Sequence, residues 1–339
     1  MNVRERRQLG RSGVEVSPLG LGTAPLGDLF VRVADDEARA VVRTALETGV
    51  TLVDTAPYYG LGLSERRVGD ALRAAPPGSF VLATKVGRVL RPVPRGARRA
   101  NQFWTGGLAF DPVVGYGYDA LLRSYEDSLQ RLGLPYVDLL AIHDLDLRAL
   151  ERDAFERHLR ELASGARALE ELRTSGAVRG IGLGVTALGS IPRVLDLLEL
   201  DYALLAMRYT LLDQPALDEE LPLCLQRGVG VVVGAPFASG VLAVGGEGGT
   251  YDYAAVPEAV RERVLRLRAV CEGHGVPLQA AALQFPLGHP AVASVIPGAA
   301  SAEQVRANAE AFALDIPGAL WDELKAEGLL RADAPVPEG

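Results

Sequence analysis

Four residues whose side chains can move a proton lie where apolar runs of the sequence end. They occur in the strings VDTAPYYG, LATKVG and LLAIHD, and each string follows or ends a run that is typical of a buried strand. A phenol close to an ammonium, a carboxylate and an imidazole is a device for proton transfer. The four residues are Asp54, Tyr59, Lys85 and His143.

The chemistry of Tyr59 depends on its neighbours. A free phenol has a pKa of about 10, which is too high for a base near neutrality, and a nearby ammonium lowers that pKa. Lys85 is expected to supply the ammonium, Asp54 to hold it in place, and His143 to orient a carbonyl or hydroxyl oxygen. Taken singly, Tyr59 is equally consistent with an ordinary rim aromatic, and Lys85 is more consistent with a solvated lysine, because most lysines are solvated. The occurrence of all four residues at or near strand ends favours a catalytic site.

The elements that must position these residues alternate between strands and helices. Eight apolar runs predict strands, and the segments between them have helical periodicity. Strands that alternate with helices predict a parallel sheet of the α/β class. Eight such units predict a (β/α)8 TIM barrel, in which chemistry takes place at the carboxyl ends of the strands. We interpret the chain as one domain over residues 1–339. The predicted strands are 16–22, 50–54, 80–85, 137–143, 178–184, 202–207, 230–235 and 292–297, and the clearest helices are 35–49, 118–133, 166–176 and 257–275.

Three segments exceed what a minimal barrel needs. The first, RRQLGRSGVEV, is typical of a β-hairpin with Ser12-Gly13 at its turn, and we expect it to cap the closed end of the barrel. The other two are long loops after the third and seventh strands, at residues 88–117 and 237–256. Loops of this length are usually functional lids or binding loops, and both lie on the rim that carries the four residues.

Composition limits the classes of function. A net charge of −8 over 339 residues argues against nucleic-acid binding, which favours a basic surface. Cys224 and Cys271 are too few for a disulfide framework, no stretch approaches the roughly 20 apolar residues of a membrane span, and the N-terminus lacks the apolar core of a secretory signal. We therefore expect a cytoplasmic protein that acts on a small molecule, without a nucleic-acid or membrane partner.

The histidines give no indication of a metal site. His143, His158, His274 and His289 lack the spacing of paired ligands. His158 and His274 are expected on helix surfaces, and His289 in a loop. The sequence therefore predicts no bound metal and disfavours a metal-dependent hydrolase.

The strings around the four residues resemble the aldo-keto reductase superfamily over nearly the whole chain. VDTAPYYG is similar to the Asp-and-Tyr signature of that family, with Tyr59 rather than Tyr58 in the catalytic place. Lys85 and His143 match the other catalytic positions. The resemblance implies that Tyr59 is the general acid and base, that Lys85 and Asp54 tune it, and that the imidazole positions substrate.

Other segments resemble one subfamily of NAD(P)-dependent sugar dehydrogenases more closely. That subfamily includes D-threo-aldose 1-dehydrogenase and L-fucose dehydrogenase, with pyridoxal 4-dehydrogenase as a near relative. Oxidation of an aldose such as L-fucose or D-arabinose at C1 is the activity that this implies. The segments are GLGLSE (60–65), RSYEDSLQRLGL (123–134), IHDLD (142–146) and RYTLLDQ (208–214).

The cofactor that the resemblance implies is a nicotinamide nucleotide bound without a Rossmann fold. The glycine pairs at 20/22, 180/182 and 182/184 lack the third glycine of a G-x-G-x-x-G motif, which agrees with this expectation. Many relatives contact the nicotinamide through Ser-Asn, Gln and a stacking Tyr. This chain has Val185-Thr186, Ala206 and Gly234 in their places, and Thr186 is expected to supply the remaining hydrogen bond.

The residues after the last strand indicate which nucleotide is used. NADPH-using relatives carry a Lys and an Arg directed at the 2′-phosphate, and this chain has Gly298 and Gln304 there, with Arg306 as a nearby cation. Loss of two cations removes much of the attraction for a dianionic phosphate, so we expect NAD to be preferred over NADP. The residues expected to bind the nucleotide are Gly22, Thr23, Asp54, Thr186, Phe237, Ser239, Gly240, Gly298, Ala299, Ser301, Gln304 and Asn308.

The substrate site is expected to be lined by Leu26, Tyr58, Trp104 and Arg208. The indole of Trp104 suits a sugar face or a pyridine ring equally, and it is also consistent with a packing anchor for its loop. Two other functions remain open. One is an NADPH-dependent reductase of aldehydes or ketones with the same four residues. The other is a non-catalytic binding subunit, against which the intact set of four argues. The sequence predicts neither the particular sugar nor the oligomeric state.

Overall fold

A ring of eight parallel strands forms the centre of the molecule. The computed structural model describes residues 1–94, 103–246 and 248–338. Each strand of the ring pairs with the next ring strand along the chain. The ring closes where Gly20 N donates to the Val295 carbonyl at 2.8 Å and Val295 N donates to the Pro18 carbonyl at 2.9 Å. The predicted (β/α)8 barrel is therefore confirmed.

Each of the eight predicted runs overlaps one strand of the ring. In chain order the strands are β1 (Arg7–Gln8), β2 (Glu15–Val16), β3 (Leu21–Gly22), β4 (Leu52–Asp54), β5 (Val81–Val86), β6 (Arg88–Pro92), β7 (Phe110–Val114), β8 (Leu139–His143), β9 (Gly180–Val185), β10 (Tyr202–Ala206), β11 (Gly230–Gly234) and β12 (Val292–Ile296). The ring consists of β3, β4, β5 and β8 to β12.

Helices cover the outside of the ring. The first begins with acidic residues, which the positive end of the helix dipole stabilises, and ends at Gly49 in the left-handed region with φ +103°. Among the described residues, no helix is both long enough and apolar enough to cross a membrane. The helices are α1 (Asp35–Thr48), α2 (Leu63–Leu72), α3 (Tyr118–Leu132), α4 (Arg152–Thr174), α5 (Ser190–Leu195), α6 (Glu220–Arg227), α7 (Glu258–Gly273), α8 (Leu278–Gln284), α9 (Ala302–Ala313) and α10 (Gly318–Ala326).

In the described part of the chain, two hairpins lie outside the ring. β1 and β2 pair antiparallel, as predicted, and Leu9 and Val14 beside their turn pack into the barrel interior at the ends where the strands begin. β6 and β7 form a second antiparallel hairpin within the segment that the sequence analysis treats as a long loop. The prolines at 92 and 112 argue against strands in the sequence, but a two-stranded ribbon has only edge strands, which tolerate proline.

Helix α4 is longer than predicted and buries a histidine expected on the surface. The sequence predicts a helix over 166–176, whereas α4 begins at Arg152. His158 is buried, with Nδ1 2.8 Å from Glu161 Oε2 and its ring edge-on to Tyr116. A Cβ on Gly165 would lie 2.1 Å from the Tyr116 carbonyl oxygen, so the glycine lets the helix approach closely and buries this face.

Strand β9 has only glycine on the face that points into the ring. Gly180, Gly182 and Gly184 alternate with outward-facing apolar residues. A Cβ on Gly182 would lie 2.4 Å from Cε1 of Tyr202, and one on Gly184 would lie 3.6 Å from Cε of Lys85. These glycines therefore leave room inside the barrel for two long polar side chains, a role that is unrelated to nucleotide-binding glycine motifs.

We predict that Gly182→Ala destabilises the protein by about 1 to 3 kcal/mol, because the added methyl group overpacks the interior against Tyr202. Gly273→Ala is the matched control, since a Cβ there has no atom within 4 Å. The free energies of unfolding are compared by urea denaturation. Equal stability of the two variants would show that the interior tolerates a side chain on β9.

Candidate active site

The ends of the strands bring the four predicted residues together. Asp54 ends β4, His143 ends β8 and Lys85 is the penultimate residue of β5. Tyr59 opens a short 3-10 helix, Tyr59–Gly62, that follows β4. The side chains of Asp54, Lys85 and His143 are buried from bulk solvent. Because parallel strands present their carboxyl ends at one rim, Tyr59, Lys85 and His143 line one cavity, and Asp54 lines the cavity next to it.

The Lys85 ammonium connects the members of this site. Its Nζ donates to Asp54 Oδ1 at 2.5 Å, to the Thr55 carbonyl at 2.8 Å and to the Tyr59 hydroxyl at 3.2 Å. An ammonium has three protons, so these contacts use all of its donors. The carboxylate and the carbonyl compensate for the water that a buried cation loses.

The pKa of the Tyr59 phenol differs from the sequence prediction. Burial raises this pKa well above its ordinary value, and the carboxylate of Asp54 raises it further. The expectation of a lowered pKa rests on the cation of Lys85 alone, but the carboxylate bound to the same ammonium opposes the effect of that cation. In this arrangement the side chain is a neutral phenol near neutrality, which is the form that donates a proton.

Two glycines fix the loop that carries Tyr59. Gly60 follows it at φ +63°, a conformation that glycine adopts without strain. A Cβ on Gly60 would lie 2.5 Å from the Gly27 carbonyl oxygen, and a Cβ on Gly27 would lie 2.5 Å from Gly60 N. The loops after β3 and β4 therefore touch backbone to backbone, and this contact holds the phenol against Lys85.

The His143 imidazole is neutral. Burial lowers its pKa well below the ordinary value, and the positive charges of Lys85 and Arg88 lower it further. Its ring lies edge-on to those of Tyr59 and Tyr58, with centroids 5.9 and 6.3 Å apart. A neutral imidazole can donate one N–H to a substrate oxygen without competing for the proton that the phenol carries.

Tyr59, Lys85 and His143 line a cavity of about 150 Å³, which we call the reaction chamber. Tyr58 and Trp104, both predicted to contact substrate, form an aromatic wall, with rings edge-to-face at 5.5 Å between centroids. The chamber is lined by Ala24, Leu29, Tyr58, Tyr59, Lys85, Phe103, Trp104, His143, Asp144, Gly184, Val185, Thr186, Leu204, Ala206 and Tyr253.

A groove of about 680 Å³, the long groove, continues from the reaction chamber. The two cavities share six lining residues, among them Tyr59, Ala206 and Tyr253, so a molecule in the groove has one end at the phenol. Most of the residues predicted to bind the nucleotide lie here. They are Gly22, Thr23, Asp54, Phe237, Ser239, Gly240, Gly298, Gln304 and Asn308.

Four other predicted residues line neither cavity. Leu26 is fully buried in the core, and Ala299 is also buried. The Ser301 hydroxyl caps α9 by accepting a backbone N–H of its first turn. The guanidinium of Arg208 donates through Nε to the Thr186 carbonyl at 2.6 Å, so it supports a loop instead of facing the chamber.

Thr186 lines the chamber, but its hydroxyl proton is already engaged. The hydroxyl donates to Asp146 Oδ2 at 3.2 Å, and the Thr186 backbone N–H donates to the same oxygen at 2.7 Å. Thr186 can therefore accept a hydrogen bond from a carboxamide N–H but has no free proton to donate to one.

The second long loop forms a strap, residues 237–256 except position 247, along the long groove. The Ser239 and Thr250 hydroxyls are 2.8 Å apart, and Arg208 Nη2 donates to Asp252 Oδ1 at 3.0 Å. These contacts hold the two ends of the strap, and they position Tyr253 between the two cavities.

Two polar residues of the chamber, Asp144 and Tyr253, are not among the residues predicted from the sequence. Asp144 directly follows His143 at the end of β8, so the rule that identified the four residues also applies to it. Tyr253 has no such signal, because its place depends on the path of a long loop. The described residues contain no cluster of His, Cys, Asp or Glu that could hold a metal ion.

Comparison with known proteins gives consistent matches. The model of the Aldo/keto reductase family matches residues 18–326. The chain is 42% identical to pyridoxal 4-dehydrogenase from Microbacterium luteolum, with 97% of this chain and 99% of that protein covered. It is 39% identical to D-threo-aldose 1-dehydrogenase from a Pseudomonas species, with 94% and 96% covered. The solved holo form of an aldo-keto reductase from Bacillus halodurans has a TM-score of 0.74 and 27% identity, covering 99% of this chain and 98% of that one.

Proposed function

The chain belongs to the aldo/keto reductase family of oxidoreductases, and we propose that it oxidises an aldose of the L-fucose or D-arabinose type at C1 to the aldonolactone, with NAD preferred. The observation that carries this proposal is the network in which Lys85 joins Asp54 to the Tyr59 hydroxyl at the floor of the reaction chamber. This network holds a phenol that can exchange a proton at the point where the reaction chamber opens onto the long groove.

The long groove fits a nicotinamide nucleotide, the cofactor of this family. It is extended, it ends at Tyr59, and its floor includes glycine at positions 22, 234, 240 and 298, where backbone approaches the cavity without side chains. Gln304 and Asn308 of α9 lie at positions suited to the adenosine end. When bound, the nicotinamide ring supplies the acceptor for the hydride that leaves C1.

Tyr59, Lys85 and His143 carry the proton chemistry in this proposal. The Tyr59 oxygen removes the proton from the C1 hydroxyl, and Lys85 stabilises the phenolate through its hydrogen bond. The neutral His143 donates to the same substrate oxygen and orients it. Because its pKa is raised, the Tyr59 phenol is protonated near neutrality. The phenolate fraction, and with it the rate of oxidation, therefore increases as the pH rises above neutrality.

An aldose suits the walls of the reaction chamber. The aromatic faces of Tyr58 and Trp104 can pack against the C–H face of a sugar ring, and the polar groups of His143 and Asp144 can meet its hydroxyls. The names of two relatives, D-threo-aldose 1-dehydrogenase and pyridoxal 4-dehydrogenase, support a hydroxylated substrate. Pyridoxal is therefore a second candidate, since its ring also suits the aromatic wall.

The start of α9 supports the preference for NAD. Ala302 N donates to Glu37 Oε1 at 2.7 Å, and Ala300 N donates to Gln304 Oε1 at 2.8 Å. Side chains of the protein thus take the backbone donors that a phosphate would use at this helix end. Glu37 also places a carboxylate where a 2′-phosphate would bring like charge.

Reduction of an aldehyde or ketone with NADPH is the alternative. The raised phenol pKa favours it, because a protonated Tyr59 is ready to donate to a carbonyl oxygen. Oxidation of a sugar with NAD and consumption of NADPH with simple aldehydes are the results that separate the two directions.

We predict that Tyr59→Phe lowers turnover of the aldose by about 10² to 10⁴-fold while NAD still binds, because only proton transfer is lost. NADH formation is followed by absorbance with L-fucose, D-arabinose, L-galactose, L-xylose and pyridoxal, and NAD binding by calorimetry. Tyr118→Phe, which removes a hydroxyl from a partly exposed residue of α3 that lines neither cavity, is the control. Near-native turnover in Tyr59→Phe would show that Tyr59 is not the general acid and base.

We predict that Glu37→Gln raises the ratio of kcat/KM for NADP to that for NAD by about tenfold, or about 1.4 kcal/mol, because a charge that repels the 2′-phosphate is removed. Asp36→Asn removes the same charge from the same turn of α1, but its side chain is 94% exposed. If both variants gave the same ratio as the unmodified protein, the start of α9 would not determine the preference.

A further inference from the structure

One carboxylate of the reaction chamber has no part in the proton transfer described above. Asp144 lines the chamber, and its side chain is 17% exposed. Its Oδ2 lies 3.4 Å from His143 Nε2 and 3.3 Å from Arg88 Nη2. Within the described part of the chain, both contacts lie at Oδ2, to which Arg88 donates while the neutral imidazole keeps its N–H for substrate, so Oδ1 remains available to a ligand.

The surroundings of Asp144 hold its side chain in place. The residue has φ +49°, a strained backbone region that Asp and Asn tolerate better than most residues. Its backbone N–H donates to the Gly184 carbonyl at 2.8 Å. The guanidinium of Arg88 binds the carboxylate from one side and lies over the Tyr58 ring, 5.2 Å from the centroid. Strained residues that are held in this way concentrate at functional sites.

The position relative to His143 determines what this carboxylate can meet. In the proposed function, on which this step rests, the reacting oxygen lies between the Tyr59 hydroxyl and the imidazole. Since Asp144 lies beside that imidazole, the substrate atom that comes closest to the carboxylate is the carbon next to the reacting carbon. A hydroxyl at that atom is a donor that matches an acceptor with a free oxygen.

We propose that Asp144 is a specificity-determining residue that accepts a hydrogen bond from the hydroxyl on the carbon next to the reacting one. The enzyme then selects 2-hydroxy substrates over their 2-deoxy counterparts. A substrate without that hydroxyl removes water from the carboxylate and gives no donor in return, and a site built around a polar contact rejects such an analogue strongly.

The test is a cycle of two proteins and two substrates. D-Arabinose and its 2-deoxy form, 2-deoxy-D-ribose, differ only in the hydroxyl in question. The kcat/KM values with NAD are measured for the unmodified protein and for Asp144→Asn, which keeps the size of the side chain and tolerates the same backbone. We expect the preference for D-arabinose to fall by about 10- to 100-fold in Asp144→Asn, the range for a hydrogen bond to a charged group. Asp36→Asn is the control and keeps the preference.

The same comparison of two proteins and two substrates, made in the direction of reduction, tests the role of Asp144 separately from the proposal that the substrate is an aldose. Lactaldehyde and propanal, reduced with NADH, again differ by one 2-hydroxyl. Turnover of these two, but of neither sugar, would overturn the aldose proposal while the loss of preference in Asp144→Asn still supports its role. An equal loss for both members of a pair would overturn the role of Asp144, because a structural contact affects both substrates alike. No turnover of any of the four would overturn both proposals.

Discussion

The site and the barrel interior around it depend on one interaction, the ion pair between the buried ammonium of Lys85 and the carboxylate of Asp54. A cation in a barrel interior is stable only if its donors are satisfied and its charge is paired. Asp54 supplies the charge, the Thr55 carbonyl a second acceptor and Tyr59 the third. The glycine face of β9 provides the space that the lysine side chain needs. The network therefore couples the packing of the barrel to the position of one phenol.

This pairing gives the phenol two opposing neighbours. The ammonium donates to the Tyr59 oxygen and favours the phenolate, whereas burial and the Asp54 carboxylate favour the protonated form and raise its pKa. Burial raises the pKa of Asp54 as well, and Lys85 opposes that shift. Near neutrality the protonated Tyr59 can therefore donate a proton. As the pH increases, more of it is phenolate, which can accept a proton. His143 stays neutral and takes no part in this exchange.

The features that were predictable from the sequence are those with a local signal. Asp54, Lys85 and His143 end or nearly end apolar runs, so the strand pattern alone brings them to one rim. The direction of Leu26 depends on the path of a short 3-10 helix, and the contact of Glu37 with α9 joins segments 265 residues apart. No pattern in the sequence reports either one. The pKa of Tyr59 depends on the sum of burial and two charges, which requires the geometry.

The most direct test of this account is the pH dependence of kcat/KM for aldose oxidation in the unmodified protein and in Lys85→Met. Loss of the cation raises the pKa of the Tyr59 phenol, so the phenolate forms at higher pH. We predict that the rising limb of the profile moves to higher pH by about 1 to 3 units, the effect of one opposite charge in contact. A limb at the same pH in both proteins would contradict the central role of Lys85.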